Sequence, residues 1–255
     1  MRVMTLNLAH GRKTGVHQAL LWRRTLEKNL AEIAALLKRE APDVVALQEA
    51  DAASLWSGGF DHVRHLAILA GYPHRLSGEH VCFWRRGRRI CYGCSLLSRL
   101  PLVEKVSHKF RRTLSLLPKG FVAATLRHHG QRVAGARVVS VHLDFARKRA
   151  RRKQVEALAA ELAGYRGPLI VMGDFNCQWP GREDTIQRLA EELHLRPFEP
   201  ASAELPTFPS RRPRRRIDWI LVSKDFEFAD YAVLPDRVSD HLAVVAELKR
   251  ASRSR

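Results

Sequence analysis

The sequence predicts an α/β fold: a sandwich with β-sheets inside and helices outside. Three observations carry that expectation. Short apolar runs alternate with amphipathic helical patterns, the final third returns to strands, and the polar exceptions sit at the ends of the strand-like runs. Strands and helices mixed in this order suit sheets inside and helices outside.

The elements follow in chain order. RVMTLN reads as a strand ending in Asn7; Leu26, Leu30, Ile33, Ala34 and Leu37 recur at helical spacing; DVVALQE is the next strand. RVVSVHL is a β-branched run with His142 near its end, and Val155, Leu158, Ala159 and Leu162 mark one face of a helix that begins in a basic stretch. PLIVMGDFN is a strand preceded by Gly167-Pro168 and followed by a Trp179-Pro180-Gly181 turn. Ile186, Leu189, Ala190 and Leu193 predict a helix near 183–194, and RIDWILVS, DYAVLP and HLAVVAEL are the closing strands. No linker-like tract or internal repeat interrupts the chain, so residues 1–250 are expected to form one domain, with 251–255 a basic tail.

A chain of 255 residues with 45% hydrophobic content can bury a sizeable core. Its 44 Lys and Arg against 26 Asp and Glu give a formal charge of +18, which attracts polyanions: nucleic acid or an anionic membrane surface. The basic residues concentrate in RKRARRK (147–153), RRPRRR (211–216) and FWRRGRR (83–89). No apolar run approaches the roughly 18 residues that span a bilayer, and the opening residues lack the pattern of an export signal, so a cytoplasmic protein is expected. Cys91 and Cys94 form a lone CxxC with no second ligand pair to complete a zinc cage; with Cys82 and Cys177 they are expected to be inert thiols in a reducing compartment.

Asn7, Glu49, His142, Asp174, Asn176, Asp218, Asp240 and His241 lie at or near strand ends spread along the chain, where loops at one edge of a sandwich could gather them. Alone, an Asp at a strand end reads as a cap or turn former, and Asn7 as a residue that bonds a neighbouring loop. Together they offer carboxylate and amide oxygens, hard ligands suited to Mg²⁺ or Mn²⁺, and such an ion most often serves phosphoryl chemistry.

TLN (5–7), LQE (47–49), YGCSLLSR (92–99), VHL (141–143), GDFN (173–176), RIDWILVS (216–223) and SDH (239–241) arrive in the order found in the endonuclease/exonuclease/phosphatase superfamily, which the chain resembles over nearly its full length. The resemblance implies a four-layer α/β/β/α sandwich with two packed mixed β-sheets flanked by helices, and a Mg²⁺-dependent phosphodiesterase or phosphomonoesterase site at one edge of the two sheets. By matching motif, Glu49 is the main metal ligand, supported by Asn7 and Asp240. Asp174 orients or deprotonates the attacking water, and Asn176 holds a phosphate oxygen or a metal-bound group. His241, aimed by Asp218, stabilises developing negative charge or protonates the leaving oxygen. VHLD places His142 where the abasic-site endonuclease branch carries an Asp and Asn pair, so the chain resembles the deoxyribonuclease, sphingomyelinase and deadenylase branch. LAHG after Asn7 lacks an acidic residue that some relatives use for a second ion. Tyr92 and Arg216 are expected to contact substrate phosphate. The remaining histidines are expected to be ordinary core or surface residues, and the tryptophans packing residues, Trp179 being the possible exception.

A nuclease acting on DNA or RNA is the expected function. The alternative is a phospholipid or inositol-phosphate hydrolase at an anionic membrane, against which stands the lack of a long apolar hairpin in the sequence. A purely basic binding module would need degraded metal and histidine positions, and all are present.

Overall fold

The computed structural model describes residues 1–251 except 86, 112–117, 128–134, 180, 182 and 203. His128, His129 and all but the first residue of the expected basic tail lie outside the described residues. The chain runs β1 (Arg2–Asn7), α1 (Arg23–Glu40), β2 (Val44–Ala52), α2 (His62–Ala70), β3 (His74–Ser77), β4 (Val81–Arg85), β5 (Arg88–Ser98), β6 (Leu102–Lys109) and β7 (Gly120–Leu126). It continues with β8 (Arg137–His142), α3 (Lys148–Leu162), β9 (Leu169–Asp174), α4 (Thr185–Glu192), β10 (Leu195–Pro197), β11 (Asp218–Ser223), β12 (Phe226–Val233) and β13 (Val244–Arg250).

One sheet has the order β12-β13-β1-β2-β5-β3, with β4 also paired to β5; the other has the order β10-β11-β9-β8-β7-β6. Side-chain alternation along β1 explains the layering: Val3 joins the core between the sheets, while Met4 and Leu6 join the core beneath α1 and α2. The same alternation on the second sheet sends Val138 between the sheets and Val139 toward Leu158 of α3. Helix α1 follows the expected apolar spacing and stops where Ala41 turns left-handed (φ 48°), its N–H donating to the Leu37 carbonyl; Pro42 then bars continuation.

Strands β1 and β2 are parallel, as are β8 and β9. Their C-terminal ends share one edge of the sandwich, where the antiparallel β5 and β7 begin. A β-bulge interrupts β2 at this edge: its register against β5 shifts between Leu47 and Ala50, and Glu49 has φ 48°. Strand β4 pairs with β5 from Val81–Tyr92 to Arg85–Arg88, whereas β2 reaches only Cys91 and β3 only residues 95–98. Residues 81–85 and 88–90 thus pair as a two-stranded ribbon that projects past the sheet.

Cys82 and Cys91 face each other across this ribbon and form a disulfide, which corrects the expectation of four inert thiols. They are hairpin partners, a pairing that the search for CxxC spacing could not reveal. Cys94 and Cys177 are buried free thiols as expected, and burial pushes both pKa values up. Among the described residues no helix is long and apolar enough to cross a membrane.

Candidate active site

Three neighbouring strands deliver the centre of the site. His142, the last residue of β8, is in register with Asp174, the last of β9, and Asp174 is in register with Asp218, the first of β11. Gly173 permits the close approach: it has φ 153°, and a Cβ there would stand 1.9 Å from the Val141 carbonyl oxygen. The row therefore has imidazole and two carboxylates side by side, all almost fully buried.

The first sheet supplies the facing groups. Asn7 Nδ2 donates to Asp174 Oδ2 at 3.0 Å, while Asn7 Oδ1 accepts from Ala9 N at 2.9 Å. The segment before β13 is tied to the same strand, because Ser239 Oγ donates to the Asn7 carbonyl at 2.6 Å. This sets His241 with Nδ1 2.9 Å from Asp218 Oδ2 and Nε2 3.9 Å from Asp174 Oδ2. Thr207 Oγ also donates to Asp218, fixing the carboxylate that aims the ring. Asp240 Oδ2 accepts from Arg12 at 2.6 Å, and its Oδ1 lies 4.0 Å from His241 Nε2.

Electrostatics divide the labour among these groups. Burial alone would make His241 less basic, but Asp218 and Asp174 outweigh it and raise its pKa to about 10. Burial raises Asp174 to about 7, against the pull of His241. His142 is held neutral, its pKa well below the usual histidine range, by burial and by Lys119. Glu49 stays ionised: burial opposes its charge, yet His10, Lys119 and His241 together push its pKa far down.

Lys119, the residue before β7, is a group that the sequence reading missed. Its Nζ lies 3.5 Å from Glu49 Oε1 and 3.3 Å from His142 Nδ1, so it bridges the two sheets at the mouth of the site. The signal was a lone cation directly before an apolar strand. His10 and His62 were read as ordinary, but His10 Nδ1 lies 2.7 Å from buried Asp51 and Nε2 lies 3.5 Å from Glu49. Asp51 is held in addition by Trp56 Nε1 at 2.8 Å, with His62 Nδ1 4.0 Å away. A position two residues beyond Glu49 was the available hint.

Tyr92 is brought to the site: it is buried, its ring packs edge-on against His10, and with Glu49, Lys119 and His142 it lines a small pocket. Arg216 is a correction. Its guanidinium is buried, donates to the Phe198 and Glu199 carbonyls and stacks 4.0 Å from the Trp219 ring centroid, so it is engaged within the fold. Asn176 is near, and a bend places it there. The strand ends at Asp174, and Asn176 is left-handed (φ 54°), its N–H donating to Asp174 Oδ1 and its amide to the Leu143 carbonyl. Trp22 and Trp84, expected to pack, are 84% and 73% exposed.

The donor set fits a hard divalent cation. The bulge aims Glu49 into the site, and its oxygens meet His10 and Lys119 at 3.5 Å each, which leaves room for a tighter ligand. Asn7 Oδ1 and Asp240 Oδ1 are further hard oxygens at the same edge. Asp174, Asp218 and His241 also group within 4.8 Å, although Asp218 and His241 already satisfy one another.

A two-sheet sandwich with carboxylates and imidazoles at one edge defines a phosphoester hydrolase architecture. The chain belongs to the Endonuclease/Exonuclease/phosphatase family, whose model matches residues 4–241. Members of this family are hydrolases of phosphoester bonds. Among solved structures, an endonuclease/exonuclease/phosphatase of Beutenbergia cavernae is 24% identical, with TM-score 0.76 over 98% of this chain and 71% of that one. A mannosyl-6-phosphatase of Bacteroides thetaiotaomicron is 18% identical, with TM-score 0.75 over 98% and 99%. The human Nocturnin catalytic domain is 22% identical, with TM-score 0.70 over 98% and 93%. A UPF0294 protein of Yersinia enterocolitica is 32% identical over 97 residues, 38% of this chain and 35% of that protein; the chain thus matches about a third of the length of such relatives.

Proposed function

We propose that the protein is a divalent-metal-dependent phosphodiesterase that cleaves DNA or RNA. The observation that carries the chemistry is the contiguous row of His142, Asp174 and Asp218 with His241 laid across it. Asp174, with a pKa near neutrality and donors on both oxygens, accepts a proton from the attacking water and orients it. His241, kept cationic by Asp218, offers positive charge and a proton to the leaving oxygen. Neutral His142 and the Lys119 ammonium would hold the non-bridging phosphate oxygens, with Asn176 and Tyr92 shaping the walls. Glu49, Asn7 and Asp240 would hold a Mg²⁺ or Mn²⁺ ion, which when bound polarises the phosphoryl group.

Nucleic acid is the preferred substrate because the net charge is +18 and the run at 147–153 leads from the site strand β8 into α3. A phospholipid or inositol-phosphate ester is the second reading, favoured by apolar side chains exposed around the same edge. The test is incubation of purified protein, with Mg²⁺ and then EDTA, with labelled single- and double-stranded DNA and RNA, phospholipids and phosphomonoesters, beside Asp174→Ala and His241→Ala proteins. Metal-dependent nucleic-acid cleavage absent from both variants supports the proposal. Cleavage of lipid alone overturns the substrate, and full activity in either variant overturns the site.

A further inference from the structure

Eight large hydrophobic side chains are exposed among the described residues, and Ile68 on α2 alone lies away from the site edge. The segment that follows β1 carries Val16, Leu20 and Trp22, which are 93%, 75% and 84% exposed. The projecting ribbon of β4 and β5 carries Phe83 and Trp84. The loop between β8 and α3 carries Phe145, and Leu55 follows β2. Each segment departs from, or leads into, the strand ends that hold Asn7, Glu49, Tyr92 and His142.

Ring contacts bring the first two segments together. Trp56 packs against His17 on one side and against Tyr92, at the base of the ribbon, on the other. The disulfide between Cys82 and Cys91 closes that base. The apolar side chains thus stand on short, braced supports, which reduces the ordering cost of docking.

Basic residues interleave with them. Arg23, Arg24 and Lys28 are exposed at the start of α1, where Trp22, Arg24, Thr25 and Lys28 line an open concavity. Arg89 is on the ribbon, and Arg147, Lys148 and Arg149 follow Phe145. Aromatic side chains flanked by Arg and Lys suit the boundary between lipid headgroups and acyl chains. The aliphatic members decide between two polyanions: Val16 and Leu20 offer no ring for a base to stack on, yet they partition into acyl chains.

We infer that this rim is a peripheral docking surface for an anionic phospholipid bilayer, with the site edge held toward the lipid. The inference goes beyond the proposed reaction, since it concerns where the protein is held and not which ester is cleaved. Electrostatic attraction brings the +18 chain to the surface, and the apolar rim adds the hydrophobic part.

The test is co-sedimentation of the full chain, in EDTA, with phosphatidylcholine vesicles with and without phosphatidylglycerol. Binding is expected only with phosphatidylglycerol and is expected to fall as NaCl rises. Trp84→Ala, and separately Leu20→Ser with Trp22→Ala, are each expected to weaken it by about tenfold or more. These side chains are exposed, so unchanged circular dichroism and melting check the variants, and their hydrolytic activity on a soluble ester should match that of the parent. No vesicle binding, or equal binding by parent and variants, overturns the inference. So does loss in the variants of affinity for a single-stranded oligonucleotide with vesicle binding untouched, which would make the rim a base-stacking platform. Because only binding is read, this inference can fail while the proposed hydrolysis stands, and the reverse.

Discussion

Asp218→Asn tests how the site keeps His241 charged. In the parent, His241 Nδ1 lies 2.9 and 3.1 Å from the two Asp218 oxygens in a nearly dry setting. With the two delocalised charges centred about 4 Å apart, the carboxylate contributes about 4 kcal/mol at an effective protein dielectric near 20, which corresponds to about three pKa units. Asparagine keeps an oxygen for the ring N–H, so the change removes charge and leaves the aim. The His241 pKa should fall from about 10 to near 7. Proton NMR of the imidazole Cε1–H in EDTA, assigned with His241→Ala, reads this directly, and the alkaline limb of the rate profile should move down with it. The sign for stability follows from the raised pKa: the contribution of His241 is full below the unfolded value near 6.5 and is lost as pH rises through about 10. In Asp218→Asn that loss should begin near neutrality. An unmoved titration would refute the claim that Asp218 holds the charge.

Other outcomes follow from the same geometry. Lys119→Ala should raise KM more than it lowers kcat, with Lys119→Arg restoring much of the loss; a purely kcat effect in steady-state assays would count against a phosphate-binding role. The raised pKa of Asp174 predicts that kcat/KM climbs through about pH 7, and that the folded state of the metal-free protein loses stability from pH 4 toward 7 as this buried carboxyl is forced to ionise, measurable by urea melts. Gly173→Ala should destabilise the fold by more than about 2 kcal/mol, because the added Cβ meets the Val141 carbonyl and φ is unfavourable; an unchanged melting curve would contradict the packing described for β8 and β9. Trp219→Ala should cost about 3–5 kcal/mol in chemical denaturation, since the indole is fully buried and donates to the Cys177 carbonyl.

Strands β1, β8, β9 and β11 were legible because each is an apolar run with a polar residue abruptly at one end, Asn7, His142 and Asp174 at the last position and Asp218 at the first. The antiparallel strands β3 to β7 and helix α2 were not read in advance. Several of these strands lie at sheet margins, where one face meets water and a mixed pattern does not stand out. Arg216 shows the limit of proximity: it is two residues from Asp218, yet the fold brings Phe198, Trp219 and Tyr231 to it and turns it into a packing cation. Lys119 shows the converse, because its partners Glu49 and His142 are remote in sequence and no local pattern announces them. Exposure of Trp22 and Trp84 depends on what the chain leaves uncovered, which composition cannot state.

Asn7 depends on partners 167 and 232 residues further along, Asp174 and Ser239, and β1 sits in mid-sheet between β2 and β13. During synthesis β1 must therefore wait for β13 before its sheet is complete. A nascent chain lacking residues 239–250 has neither His241 nor the neighbour that fixes Asn7. This wiring leaves the site incomplete until residues 239–250 have been made and paired.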